Sequence, residues 1–186
     1  MQFMQCGVLA SRLRHKFVDW ARERRGQTAV EFALIAAPFF FIIFGLMEIC
    51  LIFIMSTVLE HAVSDASREI RTGQAQEAGF SEVEFRNSIC DKMFGLMGCD
   101  SNLHLDVKRL SSFSTADLGS PVDADGNFDD GDFDFQPGGA NEIVAVRVFY
   151  EWTLVTPILS APLANLANGK HLIQASAVFR NEPFGD

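Results

Sequence analysis

Gly26 and Glu31 are the first residues in this chain whose types and spacing suggest chemistry. Glycine allows an extended, unobstructed backbone, which a protease acting at a membrane surface can use. A cut after Gly26 makes Gln27 the new N-terminus and sets its ammonium group about one helical turn from the Glu31 carboxylate. The two carry opposite charge, and between packed neighbours they can pair in lipid, where an unpaired carboxylate is costly. The competing reading is that Glu31 merely suits the positive end of a helix dipole at the membrane surface. Spacing alone leaves both open.

Glu48 is the one charged residue between Phe32 and Leu59. Counted from Phe32 it lies about 24 Å along a helix, near the outer interface of a bilayer. It either snorkels there or meets a partner helix, since intramembrane acids tend to face protein. Asp123, Asp125, Asn127, Asp129 and Asp134 form a weaker set. Their spacing is that of a calcium loop. However, Phe128 stands where such a loop needs glycine, and Asp134 replaces the bidentate glutamate. A solvated, flexible acidic turn is the simpler expectation, and no metal or other cofactor is assigned. Cys90 and Cys99 lack the spacing of a redox or zinc motif. In an exported domain they read as a disulfide closing a loop of about ten residues, with two buried free thiols as the alternative. His15, His61, His104 and His171 are scattered. No nucleotide loop, HExxH or GxSxG occurs, so the chain is not expected to be an enzyme.

These residues hang on a strongly divided chain. Residues 1–26 carry six Lys or Arg against Asp19 and Glu23, whereas the remainder is acidic and brings the net charge to −9. The run from Phe32 to Leu59 is apolar on every face and exceeds the roughly 20 residues a bilayer requires. Positive charge beside a spanning segment stays cytoplasmic. The expected order is a basic cytoplasmic leader over 1–26, a transmembrane helix over 27–59, and an exported domain over 60–186. An acidic outer domain argues against nucleic acid as a partner.

The spanning helix is expected to continue. Met55, Leu59, Ala62, Ala66 and Ile70 recur at three- and four-residue spacing, with Glu60, His61, Asp65, Arg68 and Glu69 on the other faces. One helix from about Thr28 to Thr72 follows, kinked at Pro38 and stopped by Gly73. Ser81 and Glu84 offer a capping box for a second helix, flanked by Phe80 and Phe85 as a hydrophobic staple. Its buried stripe is Phe85, Ile89, Met93 and Phe94, ending near Gly95 or Gly98. Three strands are expected: one where Leu103, Leu105 and Val107 alternate with His104, Asp106 and Lys108, one over Glu142–Thr156 limited by Pro157, and one over His171–Arg180. Short connections favour an antiparallel sheet. The fold class is therefore α+β: a long helix lying across a small antiparallel sheet, with a short second helix.

The stretch GQTAVEFALIAAPFFFIIFGLMEIC carries a resemblance. It resembles the signature of TadE-like proteins, minor pseudopilins of the tight-adherence (Tad/Flp-type) pilus. The shared positions are Gly26, Ala29–Leu34, Pro38, Gly45 and Glu48. Similarity in the outer domain is loose, through Pro137–Gly139 and the aromatic strand after them. Flp-type pilins usually show Glu-Tyr where this chain has Glu31-Phe32, which suits a minor component better than the major pilin. The resemblance implies a pilin-like fold and cleavage after Gly26 by a prepilin peptidase. It also implies retention in the bacterial inner membrane with the C-terminal domain periplasmic, and a role in pilus assembly beside other pilins and assembly proteins. The competing expectation is a membrane-tethered extracytoplasmic binding module whose acidic loop holds calcium.

Overall fold

The computed structural model describes residues 26–185 except 100, 117 and 157–159. Residues 1–25 of the expected leader over 1–26, with Cys6 and His15, lie outside the described residues, as does Pro157. The chain divides into two compact units, residues 1–44 and 45–186. One helix, α1 (Gln27–Arg71), contributes to both. Its first part is a single helix that continues through Pro38 and exposes Phe32, Leu34, Ile35, Phe39 and Ile42. Such a surface is stable only in an apolar medium or against apolar partners.

In the second unit the α1 pattern becomes one-sided. Met55, Leu59, Ala62, Val63, Ala66 and Ile70 are all buried, while His61, Asp65 and Arg68 face outward. The three- and four-residue spacing aligns the buried set on one face. Each large member contributes about 1.5–3 kcal/mol relative to exposure. Thr72 and Gly73 donate back to Arg68 and Ile70, and Gly73 then turns at φ +83°. The Phe184 ring lies where a Cβ on Gly73 would project. Only glycine accommodates both the left-handed turn and that ring.

A four-residue turn, α2 (Gln74–Glu77), leads to α3 (Glu82–Lys92). The capping box forms: Glu84 N donates to Ser81 Oγ at 3.3 Å, and Ser81 N donates to Glu84 Oε2 at 2.7 Å. Phe85, Ile89 and Met93 are buried as expected. Phe94 is not: it is 83 % exposed, with φ +55°. The helix stops at Lys92, before either expected glycine, and the left-handed turn at Phe94 swings its ring away from the stripe. Cys90 and Cys99 are joined as a disulfide across this turn. Lys92 Nζ and Ser88 Oγ both reach the Glu69 carboxylate, at 2.6 and 2.8 Å, fastening α3 to α1.

The sheet is an antiparallel meander in the order β1 (Leu103–Leu110), β2 (Ile143–Trp152), β3 (His171–Arg180). Leu103, Leu105, Val107, Val144, Val146, Val148, Tyr150, Ile173 and Ala175 face the helices and complete the core. The α+β expectation holds in class, with an unexpected short helix, α4 (Ser160–Leu163), between β2 and β3. β2, however, ends at Trp152 rather than near Thr156, because the chain leaves the sheet to reach α1. Its other face is also buried, at Ile143, Ala145, Arg147 and Phe149. A sheet with one solvated face does not bury such residues; here the acidic loop forms a second cover. That loop also pairs with the outer edge of β1: Val107 N donates to Asp134 O and Gln136 N to Val107 O, each at 2.7 Å. The edge is thereby closed to other strands.

Candidate functional site at the helix start and the Glu48 clasp

Gly26 opens the described chain immediately before α1, and a Cβ placed on it would meet nothing within 4 Å. Gly26, Gln27 and Glu31 are all exposed. Gln27 Nε2 donates to Glu31 Oε1 at 2.9 Å, across one helical turn. The Glu31 carboxylate is thus positioned by the residue that cleavage would make the first. Its other oxygen, and a new ammonium one turn away, are the groups a neighbouring helix would meet.

Glu48 is held differently. It is only 2 % exposed, although it sits in a stretch of α1 that is otherwise apolar. Its carboxylate accepts from Val155 N at 3.0 and 3.2 Å, from Thr156 N at 3.0 Å and from Thr156 Oγ1 at 2.9 Å. Hydrogen bonds to a charged acceptor are worth about 1.5–3 kcal/mol each, and a buried carboxylate lacking them would be strongly disfavoured. The sequence points to snorkelling or a partner helix; the structure turns Glu48 onto its own chain, at the exit of β2. Pro38 lies within α1, and Gly45 half-buried, three residues before Glu48. Val155 and Thr156 escape sequence reasoning because more than 100 residues separate them from Glu48.

Three carboxylates of the acidic loop, Asp123, Asp129 and Asp134, are bonded within it. Asp123 Oδ1 accepts from Asp125 N at 2.9 Å and Asn127 N at 2.8 Å, and Oδ2 accepts from Asn127 Nδ2 at 3.0 Å. The Asn127 side chain and backbone hold the Asp123 carboxyl below its ordinary range. Asp129 Oδ1 accepts from Gly131 N, and Asp134 Oδ1 accepts from Phe135 N. Among the described residues no three acidic, histidine or cysteine side chains converge as a metal site. The calcium candidates are turn formers in this structure, and Asp125 contributes through its backbone N–H.

The acidic side chains of the loop are exposed, as a solvated turn requires, but its aromatic side chains pack inward. Phe128 and Phe133 pack on Phe149 at ring separations of 5.9 and 5.4 Å, and Phe135 packs on Phe85 at 5.7 Å. Beneath them lies a buried ion pair that sequence reasoning missed. Arg147 Nε and Nη2 donate to Asp106 Oδ2 at 3.0 and 2.6 Å, and Arg147 Nη1 donates to Gly119 O at 2.8 Å. The guanidinium also lies over the Phe149 ring, at 5.5 Å. The two residues are direct cross-strand partners. The available signal was Arg147 itself, a lone charge in the run IVAVRVFY.

His104 Nδ1 is 2.8 Å from Asp130 Oδ2, and its Nε2 is 3.4 Å from Glu151 Oε1. Burial alone would raise the Glu151 carboxyl. Lys170, Asn168 and His104 outweigh burial and leave it below the usual value. This polar cluster joins β1, β2 and the loop before β3.

α1 is long and apolar enough to cross a membrane, by length and composition. Residues 26–68 match the family model of TadE-like proteins. No curated protein and no solved structure matches the chain. The match takes in Gly26, Glu31, Pro38, Gly45 and Glu48 and ends within α1, before the sheet, so the similarity to TadE-like proteins is confined to the N-terminal segment.

Proposed function

We propose that this chain is a minor pseudopilin, an assembly component of a Tad/Flp-type pilus. On this reading a prepilin peptidase cuts after Gly26, and α1 holds the mature subunit in the bacterial inner membrane. The N-terminus is cytoplasmic and the outer domain periplasmic. The role is structural rather than catalytic. The observation that supports it most is the pairing of an unobstructed Gly26 with a Glu31 carboxylate oriented by Gln27, at the head of an apolar helix that fits the TadE-like family.

The chemistry of assembly follows from those groups. A carboxylate at the head of a lipid-embedded helix needs a cation, and cleavage supplies one at Gln27 of each subunit. Pairing Glu31 of one subunit with the amine of the next would align neighbouring helices. Other pilins and the pilus-assembly membrane proteins are the proposed partners. Intact-mass spectrometry of the protein extracted from its native membrane tests the reading. A chain beginning at Gln27 is the expected result; a chain that still begins at Met1 removes the processing step.

A further inference from the structure

Glu48 ties the segment after β2 to a level of α1 that stays apolar on its outer faces. The first residue beyond Glu48 to be buried in the core is Met55, seven positions on, or about 10 Å of helix rise. Around this level Leu46, Met47, Ile49, Phe53 and Ile54 are exposed. The clasp therefore sets Val155 and Thr156 beside a helix surface suited to lipid. Val155 is itself 68 % exposed. Leu154 and Leu163 are half-buried nearby in sequence, and no Asp, Glu, Lys or Arg occurs from Thr153 to Gly169.

We propose that Leu154 and Val155 form a second membrane contact. It inserts beside α1 into the outer lipid interface, with the glycerol and upper acyl region of the bilayer as its occupant. The Glu48 bonds fix Val155 at the level of α1 where Leu46, Met47 and Ile49 are exposed, and the inference rests on α1 crossing the bilayer. Backbone N–H groups that enter lipid must be satisfied by protein, and a lone carboxylate at that depth is equally disfavoured. The clasp satisfies both at once. Two groups that lipid would reject separately enter it together, which accounts for an acid in the apolar run and for an uncharged loop in an otherwise acidic domain.

Site-directed spin labelling of the full chain tests this in vesicles of phosphatidylethanolamine and phosphatidylglycerol. Cys6→Ser and Cys50→Ser leave the disulfide as the native sulfur pair, and nitroxides are placed singly at Val155→Cys, Ile42→Cys and Asp125→Cys. Collision with oxygen reports lipid, and collision with a water-soluble nickel chelate reports water. Val155 is expected to behave like Ile42, with oxygen access several-fold above nickel access, and Asp125 to show the reverse. Nickel access at Val155 with a lipid-exposed Ile42 overturns the insertion and leaves the spanning helix intact. Low access to both reagents at Val155 means that protein covers it and also overturns the proposal. An aqueous Ile42 removes the spanning helix and this inference together. Glu48→Ala should raise nickel access at Val155 several-fold and leave Ile42 unchanged; an unmoved Val155 overturns the role of the clasp. Thr156→Val, which removes only the hydroxyl bond, should produce a smaller shift in the same direction if Glu48→Ala does not fold.

Discussion

Glu48 Oε2 accepts two hydrogen bonds from Thr156, one from its backbone N–H at 3.0 Å and one from its hydroxyl at 2.9 Å. With the Val155 N–H, these bonds make a carboxylate of the apolar helix part of the C-terminal domain. Glu48→Ala strands two backbone donors and is expected to cost about 2–4 kcal/mol of domain stability. Glu48→Gln keeps an uncharged acceptor and should cost less. Denaturant unfolding of the full chain in detergent, followed by near-ultraviolet circular dichroism, measures both. Equal stability of Glu48→Ala and the parent would show that the clasp contributes nothing to the fold.

The disulfide between Cys90 and Cys99 closes the turn that ends α3. A loop of about ten residues corresponds to about 2–3 kcal/mol in the loop-entropy model. Cys90→Ser with Cys99→Ser should lower stability by that amount and leave the secondary structure in place, because Phe85, Ile89 and Met93 still fill the core. Comparing melting of the oxidised parent with this double variant checks the figure.

The helices and strands were legible because their signals are local. The α1 stripe from Met55 to Ile70 and the Ser81–Glu84 box each lie within a few turns of sequence, and the alternation of β3 lies within one strand. Phe94 was misread because helical spacing continues past the point where its backbone turns left-handed. Exposure of the acidic loop's carboxylates was legible from their charge, whereas the packing of Phe128 and Phe133 on Phe149 across the sheet was not. Glu48 was recognised as unusual, but its partners lie across the whole domain. Burial of Asp106 was equally invisible, since alternation placed it on a face expected to meet water.

Acid should weaken the cluster around Glu151. Burial opposes its ionisation, but Lys170 Nζ at 3.1 Å and Asn168 Nδ2 at 2.9 Å, helped by His104, hold its folded-state pKa below the usual 4.5. The folded state then binds fewer protons than the unfolded one near that pH. The stability from Glu151 is present above about pH 4.5 and is lost as pH falls through the lower, folded value. Lys170→Met removes the main favourable partner and raises the Glu151 pKa. Acid unfolding of that variant should therefore begin at higher pH than in the parent, as followed by circular dichroism across a pH series. A superimposable acid limb would show that Glu151 does not contribute.

The Asp106–Arg147 pair tests whether the acidic loop is a structural cover. Asp106 is fully buried and bonds the Arg147 guanidinium through two nitrogens, while its other oxygen accepts from Asp134 N at 3.2 Å. Arg147 in turn reaches Gly119 O on the other arm of the loop. Removing Arg147 leaves the buried Asp106 with only Lys108 Nζ, 3.4 Å from its Oδ1, as a cation, so Arg147→Met should cost up to about 3–5 kcal/mol. Asp106→Leu combined with Arg147→Met removes both charges and should recover much of that loss. The loop would remain less well fastened, because the bonds from Asp134 N to Asp106 and from Arg147 to Gly119 O are gone. A double-mutant cycle by denaturant unfolding gives the coupling energy, and limited proteolysis at the loop reports the fastening separately. Recovered stability with faster loop cleavage is the expected pairing. Simple additivity of the two substitutions would mean that the pair carries no coupling across β1 and β2.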